Sequence, residues 1–203
     1  MEEIKLTDRI TYIPEVRSPL SADIVLVHGD EGLFVFDVGN SDEATTYLNE
    51  IHLPKTVILS HFHSDHVAHL EDTVFDRLYV GSYTFRSVRQ GITVDDKKVL
   101  EDGIVVEVVH CPSTHAKGSL LMVVDGIIFT GDATYAMWKD GKTIYNAQLL
   151  KGTIETLESI TADKCFLSHN GGEINSKAAV LKLLKGIYAQ RTPDSPYIYL
   201  DRK

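Results

Sequence analysis

The sequence predicts a mixed α/β domain built from packed layers, and three observations support this. Short β-like runs, separated by Gly, Asp or Pro, dominate the first two-thirds of the chain. Longer segments with apolar residues at helical spacing are interspersed and close it. Strands come from both halves, with no repeat, low-complexity tract or composition shift to mark a linker, so one domain spanning residues 1–203 is expected. At 203 residues, 43% of them hydrophobic, the chain can bury a sizeable core.

Taken in order, Ala22 to Val27 and Leu33 to Asp37 read as strands joined across Gly29-Asp30-Glu31-Gly32. Asp42 to Ile51 reads as a helix behind Ser41, whose hydroxyl suits an N-cap because it can accept from an unpaired N–H of the first turn. Thr56 to Ser60 and Leu78 to Val80 are further strands, followed by Ile104 to His110, Leu120 to Val124 and Ile127 to Thr130. The last two flank Asp125-Gly126, a pair that tolerates the positive φ angles of a tight hairpin. Helices are expected at Asn146 to Ile160 and Asn175 to Ala189; in the second, Val180, Leu181, Leu184, Ile187 and Tyr188 form one apolar face. Pro193 and Pro196 then break the helix, and Tyr197 to Leu200 reads as an edge strand.

Composition narrows the function classes. The net charge of −9 repels polyanions, and no Lys/Arg block counters it: Lys97-Lys98 lies between Asp95-Asp96 and Glu101-Asp102 and reads as a solvated turn. Nucleic acid is therefore not the expected substrate. No apolar run reaches the length of a bilayer span, and Met1-Glu2-Glu3-Ile4-Lys5 lacks the features of a signal peptide. Two cysteines, Cys111 and Cys165, are too few for a disulfide framework. A soluble cytoplasmic protein without a membrane partner is expected.

The chemistry concentrates in His61-Phe62-His63-Ser64-Asp65-His66, which places four metal-ligand types directly after an apolar strand. Alternate side chains of an extended segment point the same way, so His61 and His63 can reach one ion. A turn into a short helix would aim Asp65 and His66 at a second. Further donors follow other strands: His115 beyond Ile104 to His110, Asp132 after Ile127-Ile128-Phe129-Thr130-Gly131, and His169 after Lys164-Cys165-Phe166-Leu167-Ser168. His28, His52, His69 and His110 read as surface or hydrogen-bonded residues.

The order His61-x-His63-x-Asp65-His66, then His115 with Gly118-Ser119, then Gly131-Asp132, then His169 resembles the metallo-β-lactamase-fold hydrolase superfamily. The resemblance implies a four-layer αββα sandwich, two mixed β-sheets face to face with helices outside and metals at one edge. It also implies that His61, His63 and His115 hold a first metal, that Asp65, His66 and His169 hold a second, and that Asp132 bridges both. Imidazole and carboxylate donors suit two divalent ions such as zinc, with iron or manganese as alternatives.

Two such cations would lower the pKa of a bridging water toward neutrality and polarise a substrate oxygen, so no Ser or Cys nucleophile is needed. Asp65 would also take or return a proton when the leaving group departs. Asp37, in Phe36-Asp37-Val38-Gly39, is expected to orient a ligating imidazole. Tyr135 matches the position of a tyrosine in the acyl-homoserine lactonase branch, where the resemblance suggests a phenol that hydrogen-bonds the substrate oxygen.

The chain departs from other branches of the superfamily. The main zinc β-lactamases carry a cysteine near the position of Asp132, and glyoxalase II follows its Gly-Asp with Gly-Arg where this chain has Ala136-Met137-Trp138-Lys139. Flavodiiron proteins replace one His of the hexapeptide by Glu, whereas His63 is intact. A small-molecule ester, thioester or lactone is the expected substrate; a phosphodiesterase and a non-catalytic metal-binding protein are the alternatives. Tyr135 to Tyr145, with Trp138, and Tyr83 to Arg89 are expected as pocket walls.

Overall fold

A computed structural model describes residues 1–200; residues 201–203, the end of the expected domain span, lie outside the described residues. The chain begins with β1 (Ile4–Lys5), β2 (Ile10–Ile13), β3 (Val16–Arg17), β4 (Leu20–Ser21), β5 (Ile24–His28) and β6 (Leu33–Phe36). Then come α1 (Asp42–Glu50), β7 (Lys55–Ile58), α2 (Ser64–Val67), β8 (Arg77–Val80), α3 (Ser82–Val88) and β9 (Ile92–Thr93). The second half holds β10 (Lys97–Glu101), β11 (Val105–Cys111), β12 (Ser119–Val124), β13 (Ile127–Phe129), β14 (Met137–Lys139) and β15 (Lys142–Asn146). It closes with α4 (Ala147–Ser159), β16 (Lys164–Phe166), β17 (Ile174–Ser176), α5 (Lys177–Tyr188) and β18 (Tyr197–Leu200).

Two large mixed sheets carry the fold, in the orders β1-β2-β5-β6-β7-β8-β9 and β10-β11-β12-β13-β16-β17. Side chains alternate between the faces of each strand, and this alternation sorts the core into layers. In β5, Val25 and Val27 join Phe36 and Ile58 in an inner core against Leu120, Met122, Val124 and Phe129 of the other sheet. Ile24 and Leu26 of the same strand point outward to a second core with Ala44 and Leu48 of α1. In β12, Leu121 and Val123 likewise point outward to a third core with Leu150, Ile154 and Leu157 of α4 and Val180, Leu184 and Ile187 of α5. Helices therefore cover both outer faces, and the architecture is αββα.

The helix caps act as the sequence implies: Ser41 accepts from Ala44 N, and Asn146 accepts from Leu149 N. Some elements depart from the expectation. Lys97-Lys98 is no turn but the start of β10, an exposed edge strand whose charges discourage pairing with another chain and hide the usual alternation. Residues 174–176 pair with β16, so the last helix starts at Lys177, behind the Ser176 cap, rather than at Asn175. The expected edge strand at Tyr197–Leu200 forms by pairing with β15, in a small sheet ordered β14-β15-β18. The β14–β15 hairpin, β1 to β4 and α3 were not legible because each is short.

One edge gathers what matters chemically. Strands β6, β7 and β8 are mutually parallel, and β11, β13 and β16 share one direction in the other sheet. Asp37, the hexapeptide, His115, Asp132 and His169 all follow C-terminal ends of these strands. Among the described residues no helix is long and apolar enough to cross a membrane.

Candidate metal centre

The hexapeptide leaves β7 and changes direction as expected. His61 Nε2 lies 3.0 Å from His63 Nδ1, and His63 Nδ1 lies 2.9 Å from His115 Nε2, so three imidazoles converge on one point. His63 occupies the N-cap position of α2, where His66 N donates to its carbonyl at 3.0 Å. That helical turn carries Asp65 and His66 away from His61 and His63 to a second cluster with Asp132 and His169, whose donor atoms lie within 4.8 Å of one another. Asp132 joins the clusters: its Oδ2 is 3.1 Å from His115 Nε2 and 3.6 Å from His66 Nε2. All seven residues expected to be ligands are thus brought together.

Loop chemistry places the distant donors. Ser113 donates to Ala133 O at 3.0 Å and accepts from His115 N at 3.1 Å, which ties the His115 loop to the Asp132 loop. Gly131 has φ +50°, and a Cβ there would lie 2.6 Å from Ser60 Cβ, so glycine is needed for the approach to β7. Ser168 N donates to Gly131 O at 3.3 Å, bringing His169 beside Asp132.

Asp37 sits behind both clusters with no exposed surface and a φ of 64°. Its carboxylate accepts from Ser60 N and Ser60 Oγ, both at 2.7 Å, and contacts His66 Nδ1 at 2.7 Å. Ser60 Oγ in turn lies 2.9 Å from His61 Nδ1. Asp37 therefore orients His66 directly and His61 through Ser60, leaving the Nε2 atoms of both rings facing the centre. The other supports differ: His115 Nδ1 meets Ala136 O at 3.0 Å, and His169 Nδ1 meets Glu15 Oε2 at 3.0 Å.

The electrostatics differ from ring to ring, and Asp132 raises His115 in spite of its burial. Burial, with the neighbouring His66, pushes His61 well below the usual imidazole range, and burial with His115 lowers His63. Both rings are neutral near pH 7, the form that binds a metal. Burial works against a charge on His66, but Asp37 and Asp132 outweigh it and push the ring up to about 10. The Asp65 carboxylate raises His169 to about 9. Burial favours a neutral Asp132, yet His115 and His66 hold its carboxyl far below the usual range. The second cluster thus stabilises positive charge, whether carried by protons or by a cation.

Two atoms test whether a cation fits. His66 Nε2 and Asp132 Oδ1 are buried without a hydrogen-bond partner, since the 3.6 Å separation of His66 Nε2 from Asp132 exceeds hydrogen-bond range. Leaving such a group unsatisfied costs about 1–3 kcal/mol, and a cation between the clusters would satisfy both. A nitrogen and oxygen donor set of this kind suits zinc, iron or manganese.

The remaining expected residues are nearby. Tyr135 stacks edge-on to His115 with ring centroids 6.5 Å apart, but its hydroxyl donates to Ser168 O at 2.7 Å. The proton expected to reach a substrate oxygen is thus already engaged in this structure. Trp138 lies in β14, two residues after Ala136, and Tyr83 lies in α3 against Gly118. Sequence reasoning missed Ser60, Ser113, Glu15 and Asp23. Ser60 was within reach, as the residue before the first motif histidine, but the acidic pair sits in a segment without any motif.

The sequence matches no family profile and no curated protein sequence. Solved structures do match in fold. A B3 metallo-β-lactamase with an active-site glutamic acid superposes with a TM-score of 0.71 at 12% identity, over 94% of this chain and 90% of that one. The DIM-1 metallo-β-lactamase gives 0.70 at 19% identity, over 93% and 96%. A chemotaxis sensor with a peroxy diiron species gives 0.66 at 14% identity, over 92% and 95%. The chain has the metallo-β-lactamase fold.

Proposed function

We propose that this protein is a binuclear metal-dependent hydrolase of a small-molecule ester, thioester or lactone. The observation that carries the reading is the position of Asp132, whose carboxylate touches a three-imidazole set on one side and a mixed set on the other. His61, His63 and His115 would hold one ion, Asp65, His66 and His169 the other, and Asp132 both. Zinc is the proposed metal, with iron or manganese as alternatives. Such a pair supplies an ionised water near neutral pH and a Lewis acid for the substrate oxygen.

The chain's own residues do the rest. Asp37 and Ser60 keep a hydrogen at Nδ1 of His66 and His61, so the Nε2 atoms are the ones that would bind the ions. Asp65, half-buried at the centre, is the carboxylate that would take the proton the water gives up and return it to the departing group. The β14–β15 hairpin that follows Ala136 forms one wall of the substrate site and presents Trp138, and α3 with Tyr83 forms another. The charge of −9 favours neutral or modestly charged substrates over nucleic acid. Two buried free cysteines, Cys111 and Cys165, fit a reducing compartment, and we place the protein in the cytoplasm.

A second reading, a metal-binding sensor without turnover, is favoured by the likeness to the diiron chemotaxis sensor. Elemental analysis of the purified chain, coupled to a panel of esters, lactones, thioesters and bis-p-nitrophenyl phosphate, separates the readings. Two equivalents of metal with turnover of an acyl substrate are expected. Activity confined to the phosphodiester would move the assignment to a phosphodiesterase, and metal without any turnover would favour the sensor.

A further inference from the structure

Two acidic residues outside every motif close around His169 from the N-terminal part of the chain. Glu15 follows β2 and Asp23 precedes β5, yet they meet a residue about 150 positions away because antiparallel pairing of β2, β5 and β6 puts the end of β2 and the start of β5 level with the C-terminal end of β6. Asp23, only 1% exposed, accepts from Glu15 N through Oδ1 and from His169 N through Oδ2, both at 3.0 Å. One carboxylate thus pins two backbones. Glu15 Oε2 then meets His169 Nδ1 at 3.0 Å, while His169 Nε2 lies 3.0 Å from Asp65 Oδ2.

This geometry settles which nitrogen of His169 faces the cluster. A carboxylate at Nδ1 keeps a hydrogen there, which makes Nε2, the nitrogen facing Asp65 and Asp132, the one that would bind an ion. His169 itself sits at φ +60° in a loop before two glycines, and Asp23 holds its backbone N–H, so the rotation of the ring is left to contacts at its nitrogens. No other side chain contacts its Nδ1 among the described residues. The first cluster has no comparable charged support, since His61 and His115 rest on a hydroxyl and a carbonyl.

We propose that Glu15 is a positioning residue for the second ion, holding His169 in the tautomer and rotation that ligation requires, with Asp23 as the clamp that sets both residues in place. The proposal rests on the binuclear reading above. Its neutral competitor is a structural ion pair that merely anchors the N-terminal segment. The two differ in what a substitution disturbs, because an anchor affects the whole edge whereas a positioning residue acts through His169 alone.

Zinc titration of the full chain against a competing chelator tests this, using wild type, Glu15→Gln, Glu15→Ala and His169→Ala. Glu15→Gln is near-isosteric and keeps an acceptor for Nδ1, so it isolates the charge. The wild type is expected to take two ions. In Glu15→Gln one binding step should weaken about 10- to 100-fold, with Glu15→Ala weaker still, while the other step stays within about twofold. The affected step should be the one that His169→Ala abolishes, and Glu15→Gln should change nothing further in the His169→Ala background. Both steps weakening together, or neither moving, overturns the proposal and leaves the binuclear reading intact. A wild type that takes fewer than two ions overturns that reading, and the proposal with it.

Discussion

The first cluster is three imidazoles supported by neutral groups, whereas the second, in contact through Asp132, mixes carboxylates with imidazoles and is supported by carboxylates. His61 rests on the Ser60 hydroxyl and His115 on the Ala136 carbonyl, but His66 rests on Asp37 and His169 on Glu15. Burial favours the neutral form of His61 and His63, whereas neighbouring carboxylates favour the charged form of His66 and His169 and, in the first cluster, of His115 through Asp132. One edge of one fold thus offers two sites of different character, and the carboxylates behind the rings set the difference as much as the donors do.

Removing the shared residue should break this comparison most severely. Asp132→Ala is expected to leave a folded protein with at most one equivalent of metal by elemental analysis. Loss of a hydrogen-bonded support costs about 10- to 100-fold, so loss of the donor itself should cost at least about a hundredfold in hydrolysis. Retention of two equivalents would show that the carboxylate does not join the sites.

Asp37→Asn sharpens the comparison, because Asp37 reaches both clusters by unequal routes. Affinity for the ion near His66 should fall about 10- to 100-fold, and affinity for the ion near His61 by less, since Ser60 intervenes. Competitive metal titration resolving the two steps checks the order; equal losses would mean that Asp37 sets the local backbone rather than each ring.

The smallest effect is expected at Tyr135, whose hydroxyl is engaged by Ser168 O. Tyr135→Phe should lower stability by about 0.5–1.5 kcal/mol, the worth of one hydrogen bond, and leave KM unchanged. Thermal denaturation with steady-state kinetics decides the matter. A fall in kcat on the order of a hundredfold, without loss of metal, would restore the expected contact with the substrate oxygen.

Some of this was legible along the chain and some was not. The long strands showed themselves because a half-buried strand must alternate or run apolar, and α1, α4 and α5 showed caps and apolar faces. Edge elements such as β10 escaped because exposed charge erases the alternation. The seven donors were legible because metal ligands come from few residue types, and four of them fall within six residues of one strand end.

The order and identity of the candidate donors and the layered α/β class follow from the amino-acid sequence alone, since each depends on residue type and local spacing. Only the tertiary structure decided which second groups stand behind each imidazole. Glu15 and Asp23 reach His169, and Asp37 reaches His61 through Ser60, because sheet pairing folds distant loops onto one edge. Hydrogen bonds of that range leave no periodicity or spacing in the chain, for the partners need to be close only after the layers have packed.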